Sequence, residues 1–357
     1  MLSKFHPTHF YSRLKQFVET YERAILPGVL ILGFVFDVVA FQTLDIRTKF
    51  ILWAVYIIVA AMAIVFGFVY DVKSKAADYT VLRYMRLAMP PLLQFTFGAL
   101  LSNALLFYWF SGAISVSWPI MVLVVLLMAS NEVFRHYLLR PVVQIGVFAF
   151  VAFAFFSQLF PYVFRSLDAW VFVLGGVVSS VATIALVMLL LYATKMQKQM
   201  LLHMIGVIVS VFWVMVGFYF ANVIPPIPLS IRDAGIYHDL VRGKEYILTG
   251  EDESFFARLW PGQTVQKDDD GRLYAYTAIY APTDLQTQIY HVWEFFDEKQ
   301  GEWITKDSIS FSLSGGREEG FRGYTYKTNL ASGKWRVVVE TARGQVLGRI
   351  PFTYKDE

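Results

Sequence analysis

The sequence predicts an α-helical polytopic membrane domain of about seven spans, followed by a small, all-β, antiparallel, sandwich-like domain. Three observations support this fold class. Residues 24–223 form one apolar run after another, separated by short loops. The Lys and Arg residues of these loops fall mostly on alternate loops. After a proline-rich run at 225–228, the apolar residues change from helical spacing to the alternation that is typical of strands.

The predicted spans are each long enough to cross a bilayer. A helix needs about 20 mostly apolar residues to cover roughly 30 Å of hydrocarbon, because its backbone groups must be hydrogen-bonded within the segment. The join between the third and fourth spans is short, so that a helical hairpin and a re-entrant element both stay open. The stretches that meet the condition are residues 25–44, 49–70, 89–112, 116–133, 142–164, 169–192 and 200–224.

The positive charges of the loops predict the orientation of the helices. Short loops that carry Lys and Arg stay on the cytoplasmic side of a membrane. The N-terminal segment and the second, fourth and sixth loops hold 12 such residues, whereas the other short loops hold 3. We therefore expect a cytoplasmic N-terminus and, after an odd number of spans, an extracytoplasmic C-terminal domain.

Two segments flank the membrane domain, which we place at 25–224. Residues 1–24 have apolar side chains at helical spacing with charges between them, which predicts an amphipathic helix on the cytoplasmic surface and no cleavable signal. Residues 225–262 start with prolines that cannot continue a helix, and we expect a Pro-rich exit and an irregular or partly helical collar there. The sandwich is then placed at 263–357.

The predicted strands alternate apolar and polar residues and are separated by turn signals such as Asp270-Gly271 and Ser332-Gly333. Trp293 and Trp335 are expected in the core between the two sheets. Short strands at this spacing are typical of a small antiparallel sandwich. The strands are predicted at 273–280, 288–296, 308–313, 321–328, 334–341 and 345–354.

Composition excludes several classes of function. Residues 1–228 carry 15 basic and 8 acidic side chains, and residues 229–357 carry 16 and 20. Neither part has the clustered basic face that nucleic-acid binding requires. The chain has no cysteine, which excludes disulfides, thiolate catalysis and Cys-based zinc sites. We recognise no motif for a cofactor, a metal ion or catalysis in the sequence. We therefore predict no cofactor, no metal ion and no catalytic residues, and we regard an enzyme as the less favoured class of protein.

The last part of the chain resembles a known module. The segments Gly320–Lys327, Gly333–Val339 and Gly344–Gly348, together with His291-Val292-Trp293, are similar to the extracytoplasmic domain of unknown function 2914. The N-terminal part, with Gly33–Asp37 and Asn131–Arg135, is similar to the multi-helix region that precedes this module in uncharacterised proteobacterial proteins. The resemblance implies a bacterial inner-membrane protein with a periplasmic domain, and implies no activity.

Polar residues within the predicted spans are the first candidate site. A carboxylate inside a spanning helix is costly unless it is paired, protonated or facing water, which singles out Asp37. Asp45 lies at the outer mouth of the same helix, and Gln94 and Asn103 lie in another span. Asp37 is interpreted either as an ion, proton or headgroup site, or as a buried contact that orients helices.

A second candidate is the cluster of Glu132, Arg135 and His136 at the cytoplasmic end of the fourth span. These residues share one helical face, where a local ion-pair cluster explains them without a ligand, and a metal or general-base role would need further ligands. Gly175 and Gly176 open a small-residue face on the sixth span, which predicts close internal helix packing or, alternatively, a homo-oligomer contact.

The third candidate is a binding surface on the β domain. His291 and Trp293 share one strand face, and Glu294 lies on the other. An aromatic platform for sugar rings would use His291, Glu294, Arg322 and Tyr324 as its polar flank.

Three functions follow as hypotheses. In the first, a non-enzymatic inner-membrane protein displays its sandwich to a periplasmic protein or glycan partner. In the second, a transporter or lipid-handling protein uses Asp37. In the third, an enzyme acts on a lipid-linked or cell-wall substrate at the outer membrane face, and its candidate groups are Asp37, Asp45, Asp168, Asp233 and His238.

Overall fold

The computed structural model gives the secondary structure of most of the chain. It describes residues 28, 31–39, 43–73, 80–111, 114–133, 140–194, 197–242, 246–249, 263–267, 271–317 and 319–355. The predicted amphipathic segment at 1–24 lies outside these residues.

Seven helices lie within the described residues, and each overlaps one of the predicted spans. They are α1, whose described part covers 31–39, α2 (Ile46–Lys73), α3 (Thr80–Ser111), α4 (Ile114–Val133), α5 (Pro141–Phe164), α6 (Ala169–Thr194) and α7 (Lys198–Phe220). Five of them, α2, α3, α5, α6 and α7, are long and apolar enough to cross a membrane. The predicted order of apolar helices followed by a β domain is confirmed. α3 begins earlier than predicted and contains Pro90 and Pro91.

Helix packing explains the small residues of α6. A Cβ atom added at Gly175 would lie 2.9 Å from the backbone of Phe156, and one at Gly176 would lie 2.6 Å from the ring of Phe153. Both phenylalanines belong to α5, so the glycines let α5 and α6 approach closely. This face is therefore used for packing within the chain.

The β domain contains sheets of three and five strands. The sheet orders are β1-β5-β8 and β4-β10-β9-β6-β7, and a separate hairpin is formed by β2 and β3. The strands are β1 (Ser230–Tyr237), β2 (Asp239–Arg242), β3 (Tyr246–Thr249), β4 (Gln263–Gln266), β5 (Arg272–Tyr280), β6 (Gln286–Asp297), β7 (Glu302–Ser314), β8 (Phe321–Thr328), β9 (Gly333–Thr341) and β10 (Val346–Lys355). Each of the six predicted strands overlaps one of β5 to β10.

Two expectations about this domain were wrong. The segment expected as an irregular or partly helical collar contains strands, since β1 pairs with β5 along its length. The domain is also not wholly antiparallel, because β4 pairs with β10 in parallel. Both errors involve strands whose partners are distant in sequence, and local periodicity does not specify such pairing.

One apolar core joins the two larger sheets. Trp293 and Trp335 are buried in it as predicted, and the Trp335 and Phe352 rings are stacked with centroids 6.5 Å apart. Ile236 and Ala275 bring β1 and β5 into the same cluster. Burial of large aromatic side chains is the main source of stability in a domain of this size.

The chain divides into two compact units, and the second unit contains the β domain together with residues 107–119, 160–171 and the end of α7. Within this unit the Arg343 guanidinium lies 4.3 Å from the centroid of the Tyr219 ring. Gln345 Nε2 donates to the Ile224 carbonyl at 3.2 Å, and Arg349 Nη1 donates to Ser115 Oγ at 2.8 Å. The β9–β10 turn and β10 are thus attached to the end of the last helix and to the first turn of α4.

Candidate functional site

Asp37 is buried between helices of the first unit. Its side chain is 1% exposed, and its Oδ2 accepts a hydrogen bond from Ser102 Oγ of α3. The amide of Asn103 lies beside the carboxyl group, although its Nδ2 donates to the Ala99 carbonyl at 2.8 Å. Asp37 Oδ1 has no hydrogen-bond partner among the described residues. The cluster therefore links α1 to α3 and leaves one carboxyl oxygen unsatisfied.

The surroundings of Asp37 are closely packed. A Cβ atom at Gly33, one turn earlier in α1, would lie 3.3 Å from the ring of Phe95 in α3. The Tyr56 ring of α2 meets the same Phe95 ring edge to face, with centroids 6.0 Å apart. Gln94 of α3 is also buried. The structure thus brings Asp37 and Asn103 together in a buried contact between α1 and α3.

Asp45 caps a helix, and Asp168 makes a local contact in the loop before α6. Asp45 accepts hydrogen bonds from both the backbone N–H and the hydroxyl of Thr48, which caps the first turn of α2. These hydrogen bonds hold the pKa of Asp45 below its ordinary value. Asp168 Oδ2 accepts from Ser166 Oγ at 2.8 Å, and the Asp168 backbone N–H donates to the same hydroxyl at 3.1 Å. Both carboxylates therefore have partners close in sequence.

The Glu132, Arg135 and His136 cluster lies outside the described side chains, and it stays a prediction. Among the residues that the structure does describe, no group of three or more His, Cys, Asp and Glu side chains is arranged to hold a metal ion.

His291 is not on the surface, which corrects the predicted periplasmic binding surface. The side chain is 0% exposed, and its two ring nitrogens lie 3.0 Å from Thr277 Oγ1 and 3.0 Å from Thr325 Oγ1. Trp293 Nε1 donates to the same Thr325 oxygen at 3.2 Å. Burial lowers the pKa of His291 to about 3. The imidazole is therefore a neutral polar bridge between the two sheets.

Glu294 belongs to the five-stranded sheet, on the face away from the core. It forms an ion pair with Arg336 of β9, whose guanidinium lies 4.2 Å from the centroid of the Trp303 ring. Desolvation raises the pKa of the neighbouring Glu340, and the charge of Glu294 adds to this effect. Arg322 and Tyr324 lie on β8 of the other sheet, so the structure does not bring the four predicted surface residues together.

The outer face of the three-stranded sheet carries several tyrosines, five of which we call the tyrosine face. Its members are Tyr237 of β1, Tyr274 and Tyr276 of β5, and Tyr324 and Tyr326 of β8. Register places Tyr274 between Tyr237 and Tyr326, with Tyr276 opposite Tyr324.

The rings of the tyrosine face are in mutual contact and vary in exposure. The Tyr274 centroid lies 5.8 Å from that of Tyr326 and 6.2 Å from that of Tyr324. Tyr326 is 54% exposed, Tyr274 and Tyr324 are partly exposed, and Tyr276 is buried. Arg322 shares this face by alternation and forms an ion pair with Glu319 at 2.9 Å.

Sequence reasoning missed most of this surface, although a signal for it was present. Tyr274 and Tyr276 alternate along one predicted strand, and Tyr324 and Tyr326 alternate along another. Alternation puts each pair on one face. That the two strands are neighbours is a matter of sheet topology, which their sequences do not encode.

The comparisons with known proteins support the module at the end of the chain. The fold and the sites define a helical, apolar N-terminal part joined to a β domain that shows no catalytic arrangement among the described residues. Residues 286–354 match the family model described as "Protein of unknown function (DUF2914)", which confirms the resemblance of the C-terminal segments to this module. These residues run from the start of β6 almost to the end of β10.

Whole-chain comparisons add nothing further about fold or function. No curated protein matches the sequence. One solved structure similar to the chain is the Pseudomonas fluorescens alkylpurine DNA glycosylase AlkC bound to DNA containing an abasic site analog. It is 10% identical, with 94% of this chain and 98% of that chain covered, and a TM-score of 0.23. With so low a TM-score, this similarity supports no conclusion about fold or function.

Proposed function

We propose that the protein is a non-enzymatic inner-membrane protein whose periplasmic β-sandwich binds a polymer of the cell envelope, with the tyrosine face as the binding surface. The observation that carries this proposal is the contact between tyrosine rings of β5 and β8 on the outer side of the three-stranded sheet.

The chemistry of the tyrosine face favours a glycan polymer. The outer positions of β5 and β8 hold Tyr, Arg, Thr and Ala, and no larger aliphatic residue. A tyrosine offers a rigid apolar ring with a hydroxyl at its edge, so it can pack against the C–H face of a sugar and hydrogen-bond its hydroxyls. Arg322 adds a donor for the carboxylate or phosphate groups of anionic polymers.

The orientation rests on the loop charges and on aromatic residues near the β domain. Trp109, Trp118 and Trp170 are more than half exposed, and all three belong to the compact unit that contains the β domain. Exposed tryptophans at helix ends are typical of a membrane–water interface. Together with the 12 positive charges on the opposite loops, they support a cytoplasmic N-terminus and a periplasmic C-terminal domain.

Cysteine labelling tests this orientation directly, because the chain has no cysteine of its own. Lys299 lies exposed in the β6–β7 turn, and Lys198 lies exposed at the start of α7. A membrane-impermeant maleimide added to intact cells with a permeable outer membrane should label Lys299→Cys and spare Lys198→Cys. The reverse pattern would invert the topology and remove the proposed compartment.

Polymer binding is tested by co-sedimentation of the full-length, detergent-solubilised protein with purified peptidoglycan sacculi. Each lost ring contact is worth about 0.5–1.5 kcal/mol, so the Tyr274→Ala/Tyr326→Ala variant should bind roughly 5- to 150-fold more weakly. Tyr290→Ala, on β6 of the other sheet, is the matched control and should bind normally. The proposal fails if the wild-type protein stays in the supernatant, or if the double variant sediments with the sacculi like the control.

A second candidate function is ion, proton or lipid handling at Asp37, and the specific observation in its favour is the unsatisfied, buried Oδ1. Asp37→Asn keeps the size of the side chain and removes its ability to carry negative charge. A loss of transport activity or a growth defect in this variant, with normal amounts of folded protein, would favour the second candidate. An unchanged phenotype would leave helix orientation as the role of Asp37.

A further inference from the structure

A second site lies in the first unit, at the helix ends remote from the residues that join the β domain. There α2, α3 and α5 enclose a cavity of about 240 Å³. Its walls are mostly apolar, and they include Ala63, Gly67, Phe68, Met89 and Leu93. Three polar side chains also line the cavity, namely Asp71, Arg86 and Gln144.

Asp71 and Arg86 form a bidentate ion pair in this wall. Arg86 Nε lies 2.7 Å from Asp71 Oδ1, and Arg86 Nη2 lies 2.9 Å from Asp71 Oδ2. The Arg86 side chain is 30% exposed and the Asp71 side chain is 56% exposed. An ion pair this exposed contributes little to stability, so a ligand that satisfies both charges can separate it at low cost.

The position of the cavity suits a lipid headgroup. Asp71 lies near the end of α2 and Arg86 lies near the start of α3, so both are at the boundary of long apolar helices. The loop between these helices is one of the positively charged loops. A pocket at the end of spanning helices lies at the depth of the lipid headgroups, and its charged lining, one Arg and one Asp, is neutral overall. The volume is below the roughly 300–1,000 Å³ of usual small-molecule pockets, so it suits a headgroup with the chains left in the bilayer.

We propose that this cavity binds the headgroup of a zwitterionic, amine-bearing phospholipid of the phosphatidylethanolamine class. The lipid phosphate takes the place of the Asp71 carboxylate and accepts hydrogen bonds from the Arg86 guanidinium. The lipid ammonium takes the place of the guanidinium and donates to the Asp71 carboxylate. The exchange leaves every charge paired.

Charge balance decides against other phospholipids. An anionic phosphatidylglycerol headgroup would occupy Arg86 but offers no ammonium to Asp71, so only one of the two charges of the ion pair would gain a new partner. Phosphatidylcholine has no N–H group to donate to Asp71. The site should therefore prefer the ethanolamine lipid to both.

The test is native mass spectrometry of the full-length protein in detergent with equal amounts of palmitoyl-oleoyl phosphatidylethanolamine, phosphatidylglycerol and phosphatidylcholine. We expect the ethanolamine adduct to exceed each of the others about tenfold, the effect of one additional hydrogen bond to a charged group. Equal adducts for the three lipids would overturn the proposal. Glycerophosphoethanolamine, the same headgroup without chains, distinguishes the source: binding as tight as that of the lipid would identify a soluble ligand and overturn the lipid assignment.

Two variants show whether binding occurs in this cavity. Gly67 lines the cavity, and a Cβ atom added there would meet nothing within 4 Å. Gly67→Leu therefore adds apolar volume at the cavity wall and should reduce the ethanolamine adduct about tenfold. Gly206→Leu in α7, where a Cβ atom also meets nothing within 4 Å, is the matched control and should retain the adduct. If Gly67→Leu binds lipid like Gly206→Leu, the cavity is not the site.

The variant Asp71→Asn tests the charge argument. It frees Arg86 from its carboxylate partner and removes the acceptor for the ammonium, so the preference should shift from phosphatidylethanolamine toward phosphatidylglycerol. A merely structural role of the ion pair would leave the ratio of the two adducts unchanged, and that result would refute the proposed pairing.

Discussion

Acidification should destabilise the β domain through His291. The imidazole is fully buried and faces uncharged groups, namely the hydroxyls of Thr277 and Thr325 and the ring of Phe311, whose centroid is 5.0 Å away. A neutral imidazole satisfies both hydroxyls, because one ring nitrogen accepts a hydrogen bond and the other donates one. A protonated imidazole would place a positive charge in this core without a carboxylate partner among these contacts.

The magnitude follows from the pKa of His291, which burial lowers from 6.5 in the unfolded chain to about 3 in the folded domain. Between these values the unfolded state binds a proton that the folded state does not, so stability falls as the pH falls below 6.5. The loss is about 1.4 kcal/mol per pH unit. At about pH 4.5 the domain should therefore be about 2–3 kcal/mol less stable than at neutral pH.

Hydrogen–deuterium exchange of the full-length protein in detergent measures this loss. After correction for the intrinsic exchange rate, peptides from β5 and β6 should show about 100-fold more opening at about pH 4.5 than at neutral pH. His291→Gln retains hydrogen-bonding groups and cannot titrate, so its opening should depend much less on pH. An equal pH dependence in the wild-type protein and the variant would refute the assignment to His291.

Three further substitutions test the packing. Trp293→Ala should lower the free energy of unfolding of the β domain by about 3–5 kcal/mol in denaturant titrations, and a loss below 1 kcal/mol would contradict its place in the core. Gly323→Ala should cost about 1–3 kcal/mol in the same assay, because its Cβ atom would lie 2.2 Å from the ring of Phe311, and an unchanged midpoint would contradict that contact. Ser102→Ala removes the hydrogen bond to Asp37 and should destabilise the helical domain by about 1–3 kcal/mol in thermal melts, whereas an unchanged melting temperature would show that the bond contributes nothing.

The candidate sites were predicted unevenly. Asp37 was identified because a carboxylate within an apolar helix is unusual in any sequence, and its link to Asn103 was among the contacts considered. His291 was misplaced although it shares a strand face with Trp293, which was expected in the core, because alternation does not show whether a polar side chain on that face has buried partners. Its burial is possible because Thr277 and Thr325, on two other strands, provide hydrogen-bond partners for the ring. The residues next to His291 in the sequence do not indicate that these threonines are its neighbours.

The sequence alone determined the apolar helices, the strands β5 to β10 and the change from helical to strand spacing after the prolines at 225–228. Helices and strands can be recognised in this way because each has a local repeat, of 3.6 or 2 residues. Tertiary structure decided which strands became neighbours. It added β1 and the parallel strand β4 to the β domain, it brought Tyr274 against Tyr324 and Tyr326, and it paired Asp71 with Arg86 beside a cavity. Such arrangements depend on contacts between distant segments, whose energies depend on burial and register rather than on the order of neighbouring residues.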